Sequence, residues 1–213
     1  MQAKPRNNAF RYCQRFLLPL ALLFVAYLGA GMAQTNPEAA KVGSQTATAE
    51  HDGSHDFDFF VGTWKFHLKR RLKPLTGSNT WVDFEGIDVD RNILNGKVNI
   101  DELAVDGPTG HVEGITLRLY NPESHQWSLY WANGKAGVIG GPPNVGEFKN
   151  GRGEFYCQDT YNGRMIFIRY VWSDITANSA HFEQSYSDDG GKTWEVNWIT
   201  DQTRISDSPD KPR

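Results

Sequence analysis

Cysteine is scarce in this chain, which has two among 213 residues. Cys13 lies in a basic segment that we expect to be removed, and Cys157 lies in an apolar and aromatic run at 154–158. A chain with one remaining cysteine cannot form an internal disulfide, so its core must hold the fold without a covalent cross-link. We expect Cys157 to be a buried filler; a reactive or chain-bridging thiol is the alternative.

Acidic residues are absent from the first 33 positions, where four basic residues precede an apolar run at 16–27 and small residues that end at Ala33. This pattern is typical of a secretory signal peptide over residues 1–33. The apolar run is shorter than the roughly 20 residues that a membrane-spanning helix needs, so an uncleaved anchor is the weaker alternative. We expect an exported protein, either periplasmic or secreted.

Positive charge is scarce in the rest of the chain. Cleavage after Ala33 leaves 18 basic residues against 25 acidic residues, a net charge of −7. Excess negative charge repels nucleic acid, and no second apolar run is long enough to span a membrane. The sequence therefore predicts neither a nucleic-acid partner nor a membrane partner after cleavage, and it leaves the oligomeric state open.

Two polar segments flank a single predicted domain. Residues 34–54 have no apolar periodicity and predict a flexible tether, and residues 205–213 contain two prolines and predict a disordered tail. The segment between them, 55–204, has the usual length of one domain.

Helical periodicity is almost absent from this domain, where short β-rich runs are separated by Gly, Asn, Asp and Pro. The connections are too short for crossover helices and carry hairpin residues such as Asn162-Gly163. Consecutive antiparallel strands satisfy their edges by closing, which predicts an all-β, up-and-down antiparallel β-barrel of about ten strands. A short N-terminal helical turn at 56–60 precedes it, and an open two-sheet sandwich is the alternative. The predicted strands are 63–71, 80–88, 96–104, 112–120, 126–132, 146–149, 153–160, 164–173, 180–187 and 193–203.

Alternation along the strands indicates which side chains face the interior. Trp64, Phe66 and Leu68 alternate with basic residues on the first strand, as in a half-buried strand. The predicted strand at 164–172 is apolar on both faces apart from Arg169. The predicted strand at 126–132 combines Trp127, Leu129 and Trp131 with Tyr130 on the other face. Together with seven tryptophans in the chain, these two strands predict a closed barrel with a small-molecule cavity.

Five motifs resemble one known group. The sequence is similar to an uncharacterised bacterial family, a domain of unknown function, whose members resemble the lipocalin-like (calycin) barrels, and the similarity covers 55–204. The resemblance implies a barrel in which the Gly62-Thr-Trp64 element closes one end, and it implies no reaction. The motifs are His55-Asp-Phe-Asp-Phe-Phe-Val-Gly-Thr-Trp64, Phe84-Glu-Gly86, Gly114-Ile-Thr-Leu-Arg-Leu-Tyr120, Gln126-Trp-Ser-Leu-Tyr-Trp131 and Glu183-Gln-Ser-Tyr-Ser-Asp-Asp-Gly-Gly-Lys-Thr-Trp-Glu-Val-Asn-Trp198.

A short segment within the last of these motifs, at 187–194, also resembles the Asp-box of sialidases and other propellers. It occurs once here, whereas a propeller needs many blades and a longer chain. We therefore interpret this motif as a hairpin and not as part of a glycosidase.

One arginine stands out among apolar neighbours. Arg169 shares one strand face with Met165, Phe167 and Val171. A guanidinium among apolar side chains needs a partner. That partner is either an internal carboxylate, Glu183 or Glu85, or the carboxylate of a ligand. The candidate ligand-binding residues are Arg118, Trp131, Arg169, Glu183 and Asn197.

Catalytic residues cannot be assigned from the sequence, because it contains no nucleophile elbow, phosphate loop or Cys-His signature. Asp83 and Glu85 share a strand face, which is usually a solvated one. A hydrolase or isomerase that uses Glu85 or Glu183 as a luminal carboxylate is the enzymatic alternative.

The six histidines show no metal-ligand spacing outside the tether, and no metal or other cofactor is expected. His181 is the one candidate for haem ligation, by analogy with haem-binding barrels. The alternative is a histidine that is hydrogen-bonded beside Glu183. We predict an exported barrel that binds a small apolar or amphipathic molecule, with an acidic head group directed at Arg169 or Arg118; a structural or interaction protein with a filled barrel is a further alternative.

Overall fold

A computed structural model describes residues 52–210. The predicted signal peptide and most of the predicted tether lie outside the described residues, so both stay predictions. The described part contains one 3-10 turn, Asp58–Phe60, and ten strands. The strands are β1 (Gly62–Arg71), β2 (Trp81–Ile93), β3 (Val98–Gly107), β4 (Gly110–Asn121), β5 (Gln126–Asn133), β6 (Val138–Lys149), β7 (Arg152–Tyr161), β8 (Arg164–Ser173), β9 (Ser179–Ser187) and β10 (Glu195–Ser206).

The ten strands form a closed barrel. Each strand pairs antiparallel with its neighbours in sequence, and β1 pairs with β10. Closure removes the exposed edges that an open sheet would leave. The prediction of an up-and-down antiparallel barrel is confirmed, and the two-sheet sandwich is excluded.

The largest difference from the predicted strand bounds is at the start of β6. β6 starts at Val138, eight residues before the predicted start at 146, in spite of two prolines at 142 and 143. Those prolines lie where the register between β5 and β6 shifts, because Trp131 pairs with Gly140 whereas Leu129 pairs with Asn144. Proline is tolerated at such a bulge, where its missing N–H interrupts no ladder.

One end of the barrel is filled by aromatic side chains. Phe57, Phe60 and Trp64 are at most 1% exposed, and the Trp64 indole N–H donates to the Phe60 carbonyl oxygen at 2.7 Å. The Arg204 guanidinium lies 4.2 Å from the centre of the Trp64 ring and donates to the carbonyl oxygens of Val61 and Phe59. This aromatic plug closes the end at which β1 begins.

The first residue of β1 has to be glycine. Gly62 has a φ of +134°, a conformation that L side chains rarely adopt. A Cβ at this position would also collide with the Ser206 carbonyl oxygen of β10. Gly62 therefore permits the closure of the barrel between its first and last strands.

The described structure runs past the predicted domain limits. Before residue 55, the Gly53 carbonyl oxygen accepts a hydrogen bond from the Trp127 indole at 2.9 Å. After residue 204, the Thr63 hydroxyl donates to the carbonyl oxygens of Ser208 and Asp210 at 2.7 and 2.8 Å. Both ends of the described chain thus pack against the barrel near its plugged end.

The β9–β10 connection is held by one aspartate. The Asp189 carboxylate accepts hydrogen bonds from the hydroxyls of Ser187 and Thr193 at 2.8 and 2.7 Å. It also accepts from the backbone N–H groups of Lys192 and Thr193 at 3.0 Å each. The Thr193 N–H and these other donors lower the pKa of Asp189, and the interpretation of 187–194 as a hairpin is confirmed.

Candidate functional site

The other half of the barrel interior is a cavity of about 480 Å³. This volume lies within the range of roughly 300–1,000 Å³ that is typical of small-molecule sites. The cavity extends toward the end opposite the aromatic plug, since its lining includes Arg71, Asn133 and Tyr161 at the far ends of their strands. Its apolar wall is formed by Phe66, Leu103, Leu129, Trp131, Ile168, Trp172, Phe182 and Trp198.

A buried charged cluster lies between the cavity and the plug. The Arg118 guanidinium, 2% exposed, donates to Asp90 at 2.8 Å and to the Asn99 side-chain oxygen at 2.5 Å. Its other terminal nitrogen donates to Asp101, and the Asn99 amide donates to Asp90 at 2.6 Å. The ring centres of Phe57 and Phe60 in the plug lie 4.9 and 5.2 Å from the guanidinium carbon. Arg118 therefore joins the charged cluster to the aromatic plug.

The strand register brings this cluster together. On β2 and β3, Asp90 pairs with Asp101 across the two strands, and Asn99 of β3 pairs with Arg118 of β4. Positions two apart on a strand point to the same face, so Asp88 lies on the same inner face as Asp90. Five positions within a span of 31 residues thus meet inside the barrel.

Carboxyl groups outnumber the one guanidinium in this cluster. Burial raises the pKa of Asp90 to about 7, although the Arg118 guanidinium opposes the rise. Burial, together with repulsion from Asp101 and Asp90, raises the pKa of Asp88 well above its ordinary range. Burial thus favours the protonated forms of Asp88 and Asp90 more than water does.

Several buried polar atoms face the cavity without a partner. Among residues 52–210, Asp88 Oδ1, Asn197 Nδ2 and both side-chain polar atoms of Gln202 have no hydrogen-bonding partner. All three residues line the cavity and are at most 3% exposed. Leaving such groups unpaired costs free energy of order 1–3 kcal/mol each, so these atoms are available to a ligand or to water.

Three of the predicted binding residues line this cavity. Arg118, Trp131 and Asn197 are among its lining side chains, and the Asn197 side-chain oxygen accepts a hydrogen bond from Gln184 at 2.7 Å. The terminal nitrogens of Arg118 are already bonded to Asp90, Asn99 and Asp101. The structure thus brings these three residues together and gives Arg118 an internal ion-pairing role.

The expected luminal position of Arg169 is wrong. On β8 the cavity is lined by Ile168, Tyr170 and Trp172, so Arg169 points to the outer face. There its guanidinium lies 4.6 Å from the centre of the Trp194 ring. The apolar neighbours Met165 and Phe167 on the same face are 60% and 37% exposed. An acidic ligand head inside the barrel therefore cannot reach Arg169.

The proposed luminal carboxylates are also on the outside. Glu85 lies 3.6 Å from Lys65 at the barrel surface, and the Glu183 carboxylate lies 3.5 Å from His181. His181 is held further by Asp201 at 2.7 Å, as in the hydrogen-bonded alternative to a haem ligand. Because all three belong to the outer face, the specific enzymatic assignment to Glu85 or Glu183 is wrong, and His181 does not enter the cavity.

Cys157 lies on the cavity wall and is half buried. Burial raises the pKa of its thiol to about 11, which keeps the thiol protonated and unreactive at neutral pH. Among residues 52–210, no three His, Cys, Asp or Glu side chains are placed to hold a metal ion. In the same part of the chain, no helix has the length and apolar character to cross a membrane.

The most informative residues of the site were missed from the sequence. Asp88, Asp90, Asn99 and Gln202 were not singled out. A usable signal existed, because acidic or amide residues are spaced two apart in Asp88-Val-Asp90 and Asn99-Ile-Asp101, although the predicted second strand ended at 88. Alternation shows a shared face, but it does not show whether that face is the inner one.

The comparisons with known proteins give little beyond the fold. No family model matches this chain, and no curated protein matches it, a result that is consistent with an uncharacterised family. One solved structure, EF1p2_mFAP2b bound to DFHBI, is 9% identical and covers 71% of this chain and 98% of that chain, with a TM-score of 0.39. A likeness this weak carries no argument about a ligand of the present chain.

Proposed function

We propose that this protein binds a small molecule inside the barrel, with the apolar part of the ligand against the aromatic wall. The observation that carries the proposal is a cavity of about 480 Å³ lined by buried polar atoms that lack partners. An interior that serves only structure is packed nearly without voids, so a cavity of this size argues against the filled-barrel alternative.

The half-plugged interior supports the same proposal. The plug side chains Phe57, Phe60 and Trp64 leave one end inaccessible, so a ligand enters past the opposite strand ends. There the cavity is lined by residues such as Val112 near the start of β4. A large side chain at Val112 would occupy the route and part of the space.

Binding of a neutral solvatochromic dye, Nile red, tests this proposal. We expect a blue-shifted, saturable emission increase with the wild-type protein and at least a roughly tenfold weaker affinity with Val112→Trp, because the cavity is filled. The matched control is Ile115→Trp, on the outer face of the same strand, where Ile115 is 37% exposed. Equal affinity in the two variants would place the dye outside the barrel and overturn the proposal.

Export is a separate part of the proposal and rests on the N-terminal sequence. The basic start, the apolar run at 16–27 and the small residues before position 34 support removal of residues 1–33 by a signal peptidase. The intact mass of the protein recovered from its own cells tests this point. A mass that begins at Gln34 supports export, and a full-length mass argues against cleavage.

A further inference from the structure

The interior of the barrel is short of positive charge. Three carboxyl groups, of Asp88, Asp90 and Asp101, share one guanidinium, and the four residues are at most 3% exposed. Asp90 and Asp101 are both hydrogen-bonded to Arg118. Asp88 Oδ1 has no hydrogen-bonding partner within residues 52–210, so Asp88 is the carboxyl group that most needs a cation or a donor.

Asp88 and Asp101 both line the cavity, but each oxygen of Asp101 has a hydrogen-bonding partner. Asp88 is 2% exposed, and its Oδ1 atom has no such partner within residues 52–210. Gln202, also 2% exposed, presents an unpaired amide to the same cavity. An ionised carboxylate accepts hydrogen bonds and cannot donate them, and the Gln202 side-chain oxygen is a second acceptor in the cavity lining.

The surrounding wall suits a cation as well. Aromatic ring faces carry negative electrostatic potential and attract ammonium groups. Trp131, Tyr170, Trp172 and Trp198 all line the cavity. Anionic and aromatic groups in one water-poor chamber stabilise a positively charged head more than a neutral one.

We infer that the ligand of this barrel carries a protonated amine, which pairs with Asp88 while its apolar body lies against the aromatic wall. The inference rests on the proposed function and deepens it by naming the ligand class. It replaces the expectation of an acidic head group, because Arg118 is already bonded to two carboxylates and Arg169 lies outside. An acidic head would lie among three carboxyl groups that share one guanidinium, and it would repel each of them that is ionised.

Three compounds with one scaffold test the inference by calorimetry on the wild-type protein. Tryptamine carries an ammonium group, tryptophol a hydroxyl and indolepropionate a carboxylate. At about 0.15 M salt, where long-range surface charge is screened, we expect tryptamine to bind at least roughly tenfold more tightly than tryptophol, and indolepropionate to bind most weakly.

A pair of variants on one strand locates the effect. Asp88→Asn removes the inner charge with little change in shape, and we expect it to weaken tryptamine by at least roughly tenfold while tryptophol stays within about twofold. Glu85→Gln removes a charge from the outer face of the same strand, where Glu85 pairs with Lys65, and should leave both affinities unchanged.

The outcomes separate the two proposals. If tryptophol and indolepropionate bind as tightly as tryptamine, the cavity binds ligands but the amine inference is overturned. If Glu85→Gln weakens tryptamine as much as Asp88→Asn does, the preference comes from general surface charge and the inference is again overturned. If Nile red and all three compounds fail to bind the wild-type protein, the proposed function fails together with the inference.

Discussion

The two halves of the barrel interior are built from similar residues and arranged for different purposes. In the plugged half, Phe57, Phe60 and Trp64 contact one another or neighbouring rings at centroid distances of 5 to 6 Å, such as 5.0 Å between Phe57 and Trp127 and 5.4 Å between Phe60 and Trp64. In the open half, Trp131 and Trp198 line empty space. Aromatic residues on the strands therefore do not fill the barrel by themselves. One half is filled because the 3-10 turn inserts its own aromatic side chains at that end.

The charged cluster lies between these halves and contacts both. Arg118 contacts the rings of Phe57 and Phe60 on the plug side, and Asp88 lines the cavity on the other. Its buried charges lower stability unless each is paired, whereas an unpaired atom at the cavity side is useful for binding. The comparison thus predicts that stability depends on the plug half and ligand binding on the open half.

The sharpest test of this comparison truncates one tryptophan in each half. Trp64→Ala should lower the free energy of unfolding by about 4 kcal/mol, because it leaves a cavity in a packed region and removes the ring under Arg204. Trp131→Ala should cost less than about 2 kcal/mol, since its ring already borders empty space. Urea denaturation measures both, and equal losses would contradict the division into a stabilising half and a binding half.

Two arginine variants, one in the inner cluster and one on the outer face, test the role of the boundary between the halves. Arg118→Met should lower the free energy of unfolding by about 3 kcal/mol, because Asp90 and Asp101 lose their buried counter-charge. The matched outer variant Arg169→Met should cost less than about 1 kcal/mol, because it loses only partly exposed contacts with Trp194, Tyr156 and Glu154 on the outer face. A larger loss in Arg169→Met would show that the outer stack, and not the inner cluster, organises this barrel.

The smallest effect is a pH dependence of the inner cluster. The pKa of Asp90 is raised in the folded state from 3.8 to about 7, so this group favours the folded state most below about pH 4, and that contribution is lost as the pH rises toward 7. The midpoint of thermal unfolding should therefore fall as the pH rises over this range.

Asp88→Asn sharpens that pH test, because Asp88 repels Asp90 and Asp101 only when it is ionised. The variant should flatten the decline between about pH 4 and 7. Asp189 cannot produce the same signal, since its lowered pKa gives a contribution that is lost as the pH falls through the acid range. An unchanged slope in Asp88→Asn would show that the decline arises elsewhere.

The predicted strands and turns show how far local pattern reaches. The alternation of Trp64, Phe66 and Leu68 with basic residues identified the inner face of β1 correctly, because one face was clearly polar. On β8 this contrast is missing, since Ile166 and Ile168 occupy one face and Met165 and Phe167 the other. A shift of one residue reverses every side chain of a strand, so the sequence could not show that Arg169 points outward.

The candidate site was only partly predictable for the same reason. Trp131 and Asn197 were identified because their residue types and strand positions suit a cavity, and both line it. Asp88 and Asp101 resembled ordinary surface carboxylates, which are usually solvated when they alternate along a strand. Only the pairing of β2 with β3 and of β3 with β4 places them beside Arg118.

The sequence by itself determined the strand-rich composition, the hairpin turns and the half-buried pattern of β1, because these depend on residues that are close along the chain. The tertiary structure alone decided which face of the two-sided apolar strands turns inward, how far the plug fills the interior, and which carboxyl group is left without a counter-charge. Those properties depend on closure between β1 and β10 and on cross-strand register, which join residues that no local pattern relates.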